Sequence, residues 1–291
     1  MPMRLDQLYR SGKPDISFEL FPPKTPEATE KLFETVEELK KLRPAYFSMT
    51  YGAAGSTRDL TLSLCERLKN KAGSETMCHL NIIGESRQSI RANLDRLKSA
   101  GISNVLALRG DPPKDQPDFK PHPEGFKSSV ELIEEIRKDP FFSIAVTGFP
   151  EVHPEAKDRA ADIAYLKRKL AAGGSVVLTQ LFFDNAYFFE FMEQVRKAGI
   201  TAPVVPGILP ILSVQQIRRF ASLCGATIPS AVGKELSKYD SDDTGAARYG
   251  VELATKLCDG LLKSGVPGLH FYALNRSRSS AAVLKNLRLA V

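Results

Sequence analysis

Eight short apolar runs, each followed by a longer amphipathic stretch, constrain this chain more than any other feature. The runs are Ile16 to Phe21, Ala45 to Tyr51, Thr76 to Ile82, Asn104 to Gly110, Phe142 to Phe149, Ser175 to Phe182, Val204 to Leu209 and Gly268 to Leu274. Apolar, β-branched and aromatic runs of this length read as buried strands. Alternation with helical spacing predicts βα units and a parallel sheet. Glu19, Thr50, His79, Asp111, Thr147, Gln180, Gly207 and Tyr272 mark the strand ends. Most gaps between them are roughly 30 residues, the length of a βα unit, and only the last is about twice that. Eight such units suit a closed barrel, because no Gly-x-Gly-x-x-Gly follows the first strand as an open dinucleotide-binding sheet would need. The fold class predicted is α/β, a (βα)8 TIM barrel. The long gap leaves room for an extra helical segment before the last strand, with a turn around Pro229 to Tyr239 and a helix from Asp243 to Lys263.

Helix signals agree. Thr25 precedes Pro26 as a cap followed by proline at the first helical position, and Lys31, Glu34, Glu38 and Lys41 give that helix a solvated face. Gly101, Gly173 and Gly199 each close a helix. No linker or shift in composition marks a boundary, so residues 1–291 read as a single catalytic barrel domain. The net charge of +6, from 40 Lys and Arg against 34 Asp and Glu, is spread along the chain. It suits an anionic small ligand and lacks the dense basic stripe that nucleic acid requires. No apolar run approaches the ~20 residues that span a bilayer, which argues against the membrane. Met1 to Lys13 has no apolar core of signal-peptide length, and Cys65, Cys78, Cys224 and Cys258 show neither disulfide nor metal spacing. The expectation is a cytoplasmic protein with reduced cysteines and no metal.

The chemistry is expected at strand tips. Asn104 to Leu108 ends in Arg109, Gly110 and Asp111, and Pro112 and Pro113 then stop the ladder, leaving two opposite charges where α/β folds bind ligands. A local ion pair in a surface turn would have the same sequence. In the first strand, alternation puts Ile16, Phe18 and Leu20 on one face and Ser17 and Glu19 on the other, the barrel interior. A carboxyl there should have its pKa raised by desolvation, as a general acid requires, although a structural ion pair would also hold it. His79 and Asn81 share one strand face, which fits cofactor contact or plain core hydrogen bonding. Gln180 can pair with a heterocycle bearing donors and acceptors, or simply cap its strand. Glu151 to Ala156 is expected to open a helix on which Asp162 and Lys169 lie seven apart, with Arg168 beside them. Such a helix start can hold phosphate or ribose hydroxyls, and surface charges would look alike.

Together these stretches resemble the methylenetetrahydrofolate reductase family, bacterial type. The likeness runs from about Asp15 to Arg276 through Phe18-Glu19-Leu20-Phe21-Pro22-Pro23-Lys24, Thr50-Tyr51-Gly52-Ala53, Leu108-Arg109-Gly110-Asp111-Pro112, Pro150-Glu151-Val152-His153-Pro154, Thr179-Gln180-Leu181-Phe182-Phe183, Pro206-Gly207-Ile208-Leu209-Pro210 and Phe271-Tyr272-Ala273-Leu274-Asn275-Arg276. The resemblance implies non-covalent FAD and NADH or NADPH as co-substrate. It also implies reduction of 5,10-methylenetetrahydrofolate to 5-methyltetrahydrofolate, nucleotide and folate taking turns at one flavin face in ping-pong fashion.

In that scheme Glu19 is the general acid that opens the five-membered ring. Asp111 contacts the pterin and tunes the flavin, Gln180 contacts folate and nucleotide, and Gln216, Phe220 and Arg276 are further substrate contacts. The flavin would be held by Thr50, His79, Leu108, Arg109, Gly110, Asp111, His153, Asp162, Tyr165, Arg168 and Lys169. Phe149 stands where tyrosine is usual and Tyr165 where asparagine is common, so contacts to the distal part of FAD would differ. The chain stops soon after Arg276, so no regulatory domain is expected. The implied partners are the two small-molecule substrates, and a homo-oligomer is compatible with the reading. A flavin barrel of the proline dehydrogenase type, or a non-catalytic flavin-binding subunit, would share the cofactor residues.

Overall fold

The computed structural model describes residues 3–9, 12–51, 57–111 and 118–289. Eight strands form a closed barrel in chain order: β1 (Asp15–Leu20), β2 (Tyr46–Met49), β3 (Thr76–Asn81), β4 (Asn104–Leu108), β5 (Ser143–Gly148), β6 (Val176–Leu181), β7 (Val204–Ile208) and β8 (Gly268–Tyr272). Every ladder is parallel, and β8 closes on β1 with Ser17 opposite His270 and Glu19 opposite Tyr272. Each predicted strand is present, its ends within one or two residues of expectation. The ladders stop where the chain turns outward at the mouth, which apolar pattern alone does not mark.

The helices are α1 (Leu5–Leu8), α2 (Pro26–Lys40), α3 (Arg58–Asn70), α4 (Arg87–Ser99), α5 (Ser129–Ile136), α6 (Arg159–Ala172), α7 (Asn185–Lys197), α8 (Val214–Cys224), α9 (Ser230–Leu236), α10 (Asp243–Lys263) and α11 (Arg278–Asn286). Helix α2 shows why they form. Thr25 is extended, its hydroxyl accepts from Ala28 N at 3.2 Å, and Pro26 supplies a preset first turn. Leu32, Val36 and Leu39 then fall on one buried face, each contributing about 1.5–3 kcal/mol by burial. The glycines expected to close helices do so: Gly101 and Gly199 follow α4 and α7 at φ +73° and +75°, and Gly173 caps α6. The extra segment before β8 consists of α9, a short 3₁₀ turn over Ser237–Tyr239 and α10.

Alternation along β1 sends Phe18 and Leu20 into the layer between strands and helices, among Leu32, Val36 and Phe271. A second apolar set fills the barrel floor, where Leu5 and Tyr9 of the N-terminal segment meet Tyr46, Met77, Leu106, Val176 and Val205. Arg4 fastens that plug by donating to the carbonyls of Pro140, Phe141 and Phe142. A third set, including Leu181, Leu209, Ile211, Ile217 and Ala246, joins α8, α9 and α10 to the ends of β6 and β7. Among the described residues no helix is long and apolar enough to cross a membrane.

One predicted element is corrected. Glu151 to Ala156 do not open a helix: α6 begins at Arg159, with Asp158 as its cap accepting from Ala161 N at 2.8 Å. Pro154 biases His153 towards extended backbone, and Val152 sits at φ +79°, outside helical space.

Candidate active site

The β1 carboxylate lies inside the barrel, as alternation requires. Glu19 is only 7% exposed, and its Oε2 is 3.4 Å from His79 Nε2 and 3.5 Å from His270 Nε2. His270 is itself fixed from behind, its Nδ1 2.7 Å from the Ser17 hydroxyl. Burial lowers the His79 imidazole to about 4, against the pull of Glu19, so the ring is neutral at pH 7. The approach of His79 to Glu19 lacks the alignment of a hydrogen bond, and both its ring nitrogens are buried without a partner, as is Asn81 Oδ1. Buried polar atoms are ordinarily satisfied. Of the two readings open for His79, cofactor contact and core hydrogen bonding, these unpaired atoms favour a ligand.

The β4 tip stands at the rim. Leu108 packs on the barrel-floor set, and Arg109 makes a two-pronged pair with Glu155 at 2.5 and 2.8 Å. Asp111 is farther from Arg109, at 3.7 Å, and 88% of its side chain is exposed. The pair expected within the tip is therefore made chiefly with Glu155, leaving the Asp111 carboxylate turned to solvent. Gly110 adopts φ +82°, and a Cβ there would meet Ile83 and Asn81 within 3 Å, so both backbone and space demand glycine. Pro112 and Pro113, like Gly52 and Ala53, lie outside the described residues.

Across the mouth, Asp162 and Lys169 are both buried on α6, which removes the surface-charge reading. Lys169 Nζ donates to Thr147 O at 2.5 Å, and Asp162 Oδ2 accepts from His153 N at 3.2 Å. Burial raises the Asp162 carboxyl and lowers the Lys169 ammonium to about 8, each partly offset by the other's charge. Arg168 is exposed, 5.6 Å from the centre of the Tyr165 ring, and the Tyr165 hydroxyl is 3.1 Å from Ser129 Oγ. Phe149 packs edge-on against His153 at 4.5 Å.

The remaining candidates spread around the same face. Thr50 follows β2, where its N donates to Leu20 O and its carbonyl accepts from the Thr61 hydroxyl. Gln180 is half-buried near the end of β6, its Oε1 accepting from Leu181 N at 2.9 Å. Gln216 and Phe220 belong to a separate layer on α8, where Ser213 caps the helix and Phe220 packs on the third apolar set. Arg276 is exposed beyond β8. The turn before it carries Leu274 and Asn275 at φ +51° and +56°, with the Asn275 amide bonded to both N and O of Phe21. The site missed in the sequence is His270. Its signal was the alternation of His270 and Tyr272 on β8, of which only Tyr272 was marked. Glu155, the partner of Arg109, was also unforeseen because 46 residues separate them.

The family model for methylenetetrahydrofolate reductase matches residues 4–288. The chain is 39% identical over 289 residues to methylenetetrahydrofolate reductase (NADH) 1 of Zea mays, covering 96% of this chain and 49% of that protein. It is 35% identical over 277 residues to 5,10-methylenetetrahydrofolate reductase of Escherichia coli strain K12, covering 95% and 91%. The chain thus spans about half the length of its plant relatives. A protein from Clostridium thermocellum that binds two copies of 5-methyl-5,6,7,8-tetrahydrofolic acid superimposes with TM-score 0.70 at 14% identity, covering 98% and 99% of the two chains. At that identity the likeness is one of fold. The sequence match, by contrast, runs from the floor plug to α11 and takes in every strand tip described above: the chain belongs to the methylenetetrahydrofolate reductase family.

Proposed function

We propose that this protein is a cytoplasmic enzyme that reduces 5,10-methylenetetrahydrofolate to 5-methyltetrahydrofolate with NADH or NADPH, in ping-pong fashion on a non-covalently bound FAD. The observation that carries the reading is Glu19, a carboxyl buried between two imidazoles near the C-terminal end of a barrel strand. The residues present fit a flavin. Unpaired His79 nitrogens and Asn81 Oδ1 offer buried hydrogen-bonding groups to a heterocycle, and Gly110 allows a backbone approach. His153, Asp162, Arg168 and Lys169 supply charge and polar atoms for a ribityl chain and diphosphate, with Thr50, Leu108, Arg109 and Tyr165 completing the set. A bound flavin would supply two-electron chemistry, taking hydride from a nicotinamide and giving it to a folate carbon.

The chain's own residues do the rest. Glu19 would deliver a proton to the folate nitrogen that leaves as the five-membered ring opens, the step that creates an acceptor for hydride. Asp111 would contact the pterin, and its carboxylate beside a flavin would disfavour the anionic reduced form. Gln180, Gln216, Phe220 and Arg276 would orient the folate. Anaerobic stopped-flow absorbance tests the proposal. The purified protein should be yellow, bleach with NADH or NADPH, and recover its colour on addition of 5,10-methylenetetrahydrofolate. A bleached protein that the folate does not reoxidise would refute the substrate, and a colourless protein that cannot be reconstituted with FAD would refute the cofactor.

A further inference from the structure

Strand β6 is interrupted at the residue that meets the substrate in the proposal above. Leu178 lies opposite Val205 and Leu181 opposite Gly207, so three steps along β6 match two along β7 and one residue is extra. The cause is readable in β7. Pro206 has no N–H to give the ladder. Gly207 N donates to the Thr179 hydroxyl at 3.0 Å instead of to a backbone carbonyl. Three backbone groups at the break are satisfied by side chains. Thr179 O accepts from the Tyr272 hydroxyl at 2.8 Å, Gln180 O from the Thr179 hydroxyl at 3.0 Å, and Leu181 N gives its hydrogen to Gln180 Oε1 at 2.9 Å. Gly207 makes the crossing feasible, since a Cβ there would stand 2.3 Å from Thr179 O and 2.8 Å from the Tyr272 hydroxyl.

We propose that Tyr272, Thr179 and Gly207 are positioning residues that hold this bulge and thereby fix the Gln180 side chain with its amide oxygen turned back to the strand and its NH2 free. Bulges re-aim a side chain at the cost of a local ladder break, and they concentrate beside active sites. Here the ladder break is repaired by side chains, so its backbone groups do not oppose the bulge. With Oε1 committed to Leu181 N, Gln180 presents donors to whatever occupies the mouth, and it selects a ligand edge that carries acceptors. Tyr272 is suited to a fixed role. Burial, with the Glu19 charge nearby, raises its phenol well above the usual range, so the hydroxyl stays protonated as a donor.

The inference rests on the substrate role proposed for Gln180, and the test separates the two. Binding of 5-methyltetrahydrofolate to the oxidised holoenzyme and the rate of flavin reoxidation by 5,10-methylenetetrahydrofolate are measured for Tyr272→Phe, Gln180→Ala and the double variant. Tyr272→Phe removes one hydroxyl and keeps the ring. It should weaken folate binding by about 10-fold, the scale of one buried hydrogen bond. In the Gln180→Ala background the same change should have no further effect. Thr179→Val should act like Tyr272→Phe, and Thr179→Ser, which keeps both hydrogen bonds, should restore binding. A crystal structure of Tyr272→Phe should show Gln180 released from Leu181 N. Additive losses in the double variant, or an unchanged Gln180 in that crystal structure, would overturn the positioning role while leaving the enzyme assignment intact. If Gln180→Ala binds folate normally, the substrate role of Gln180 falls, and the purpose assigned to the bulge falls with it.

Discussion

Glu19 on β1 and Asp162 on α6 are both buried carboxyl groups at the barrel mouth, and their surroundings differ in kind. Asp162 accepts a backbone N–H from His153 and feels the charge of Lys169, which is itself bonded to Thr147 O. Glu19 faces two imidazoles, one of them neutral with both nitrogens unpaired. The α6 groups are each anchored to backbone by a hydrogen bond, whereas Glu19 lies beside a ring whose buried nitrogens have no partner in the protein. The first arrangement is fixed by the fold itself, and the second leaves hydrogen-bonding capacity for a ligand.

Removing the buried cation of α6 should have the largest effect on stability. Lys169→Met deletes the ammonium that donates to Thr147 O and should cost about 1.5–3 kcal/mol in urea unfolding at pH 7, the scale of a hydrogen bond to a charged group. If the variant is as stable as the parent, that hydrogen bond does not hold α6 against β5. Next comes Glu19→Gln, which keeps volume and polarity but removes the acid. Flavin reoxidation by the folate should slow by ~10²-fold or more, with reduction by the nucleotide nearly unchanged. Equal losses in both half-reactions would make Glu19 structural and erase the contrast.

The contrast extends to what the sequence disclosed. Strand count, barrel closure and the inward face of Glu19 were legible, because period-two alternation and a regular βα spacing are local properties. The Asp162 and Lys169 pair was legible only as spacing; nothing local says whether a helix face seven residues long is buried. The helix start at Glu151 was misplaced because Pro154 and Val152 act through backbone angles that composition does not report. His270 escaped because its significance is a register fact: it lies beside Ser17 only once β8 closes on β1. The Leu5 and Tyr9 plug escaped for a similar reason, since its anchors on Asn104, Pro140 and Phe142 are about a hundred residues away or more.

The unpaired histidine predicts a smaller, pH-dependent effect. His79 titrates near 4 in the folded chain and near 6.5 when unfolded. Its contribution is therefore complete above pH 6.5 and is lost as the pH falls towards 4, because the unfolded state takes up the proton first. At pH 5 this amounts to about 2 kcal/mol, at 1.36 kcal/mol per unit between the two values. Urea unfolding of the parent and of His79→Gln at pH 7 and pH 5 should show the parent losing about that much more. Parallel losses would mean that the ring is not desolvated.

The smallest effect should come at the rim, where charges are neither buried nor unsatisfied. Arg109 and Glu155 are 39% and 58% exposed, so their two hydrogen bonds compete with water and the pair is worth about 1 kcal/mol or less. Glu155→Gln should accordingly change stability by well under the Lys169→Met loss, and high salt should abolish the difference. It also frees Arg109, whose guanidinium would otherwise have to leave Glu155 to meet a flavin. FAD titration by fluorescence should therefore show unchanged or slightly tighter binding in Glu155→Gln. A marked weakening would mean that Glu155 holds Arg109 in its binding pose, and the rim would then belong with the anchored groups of α6.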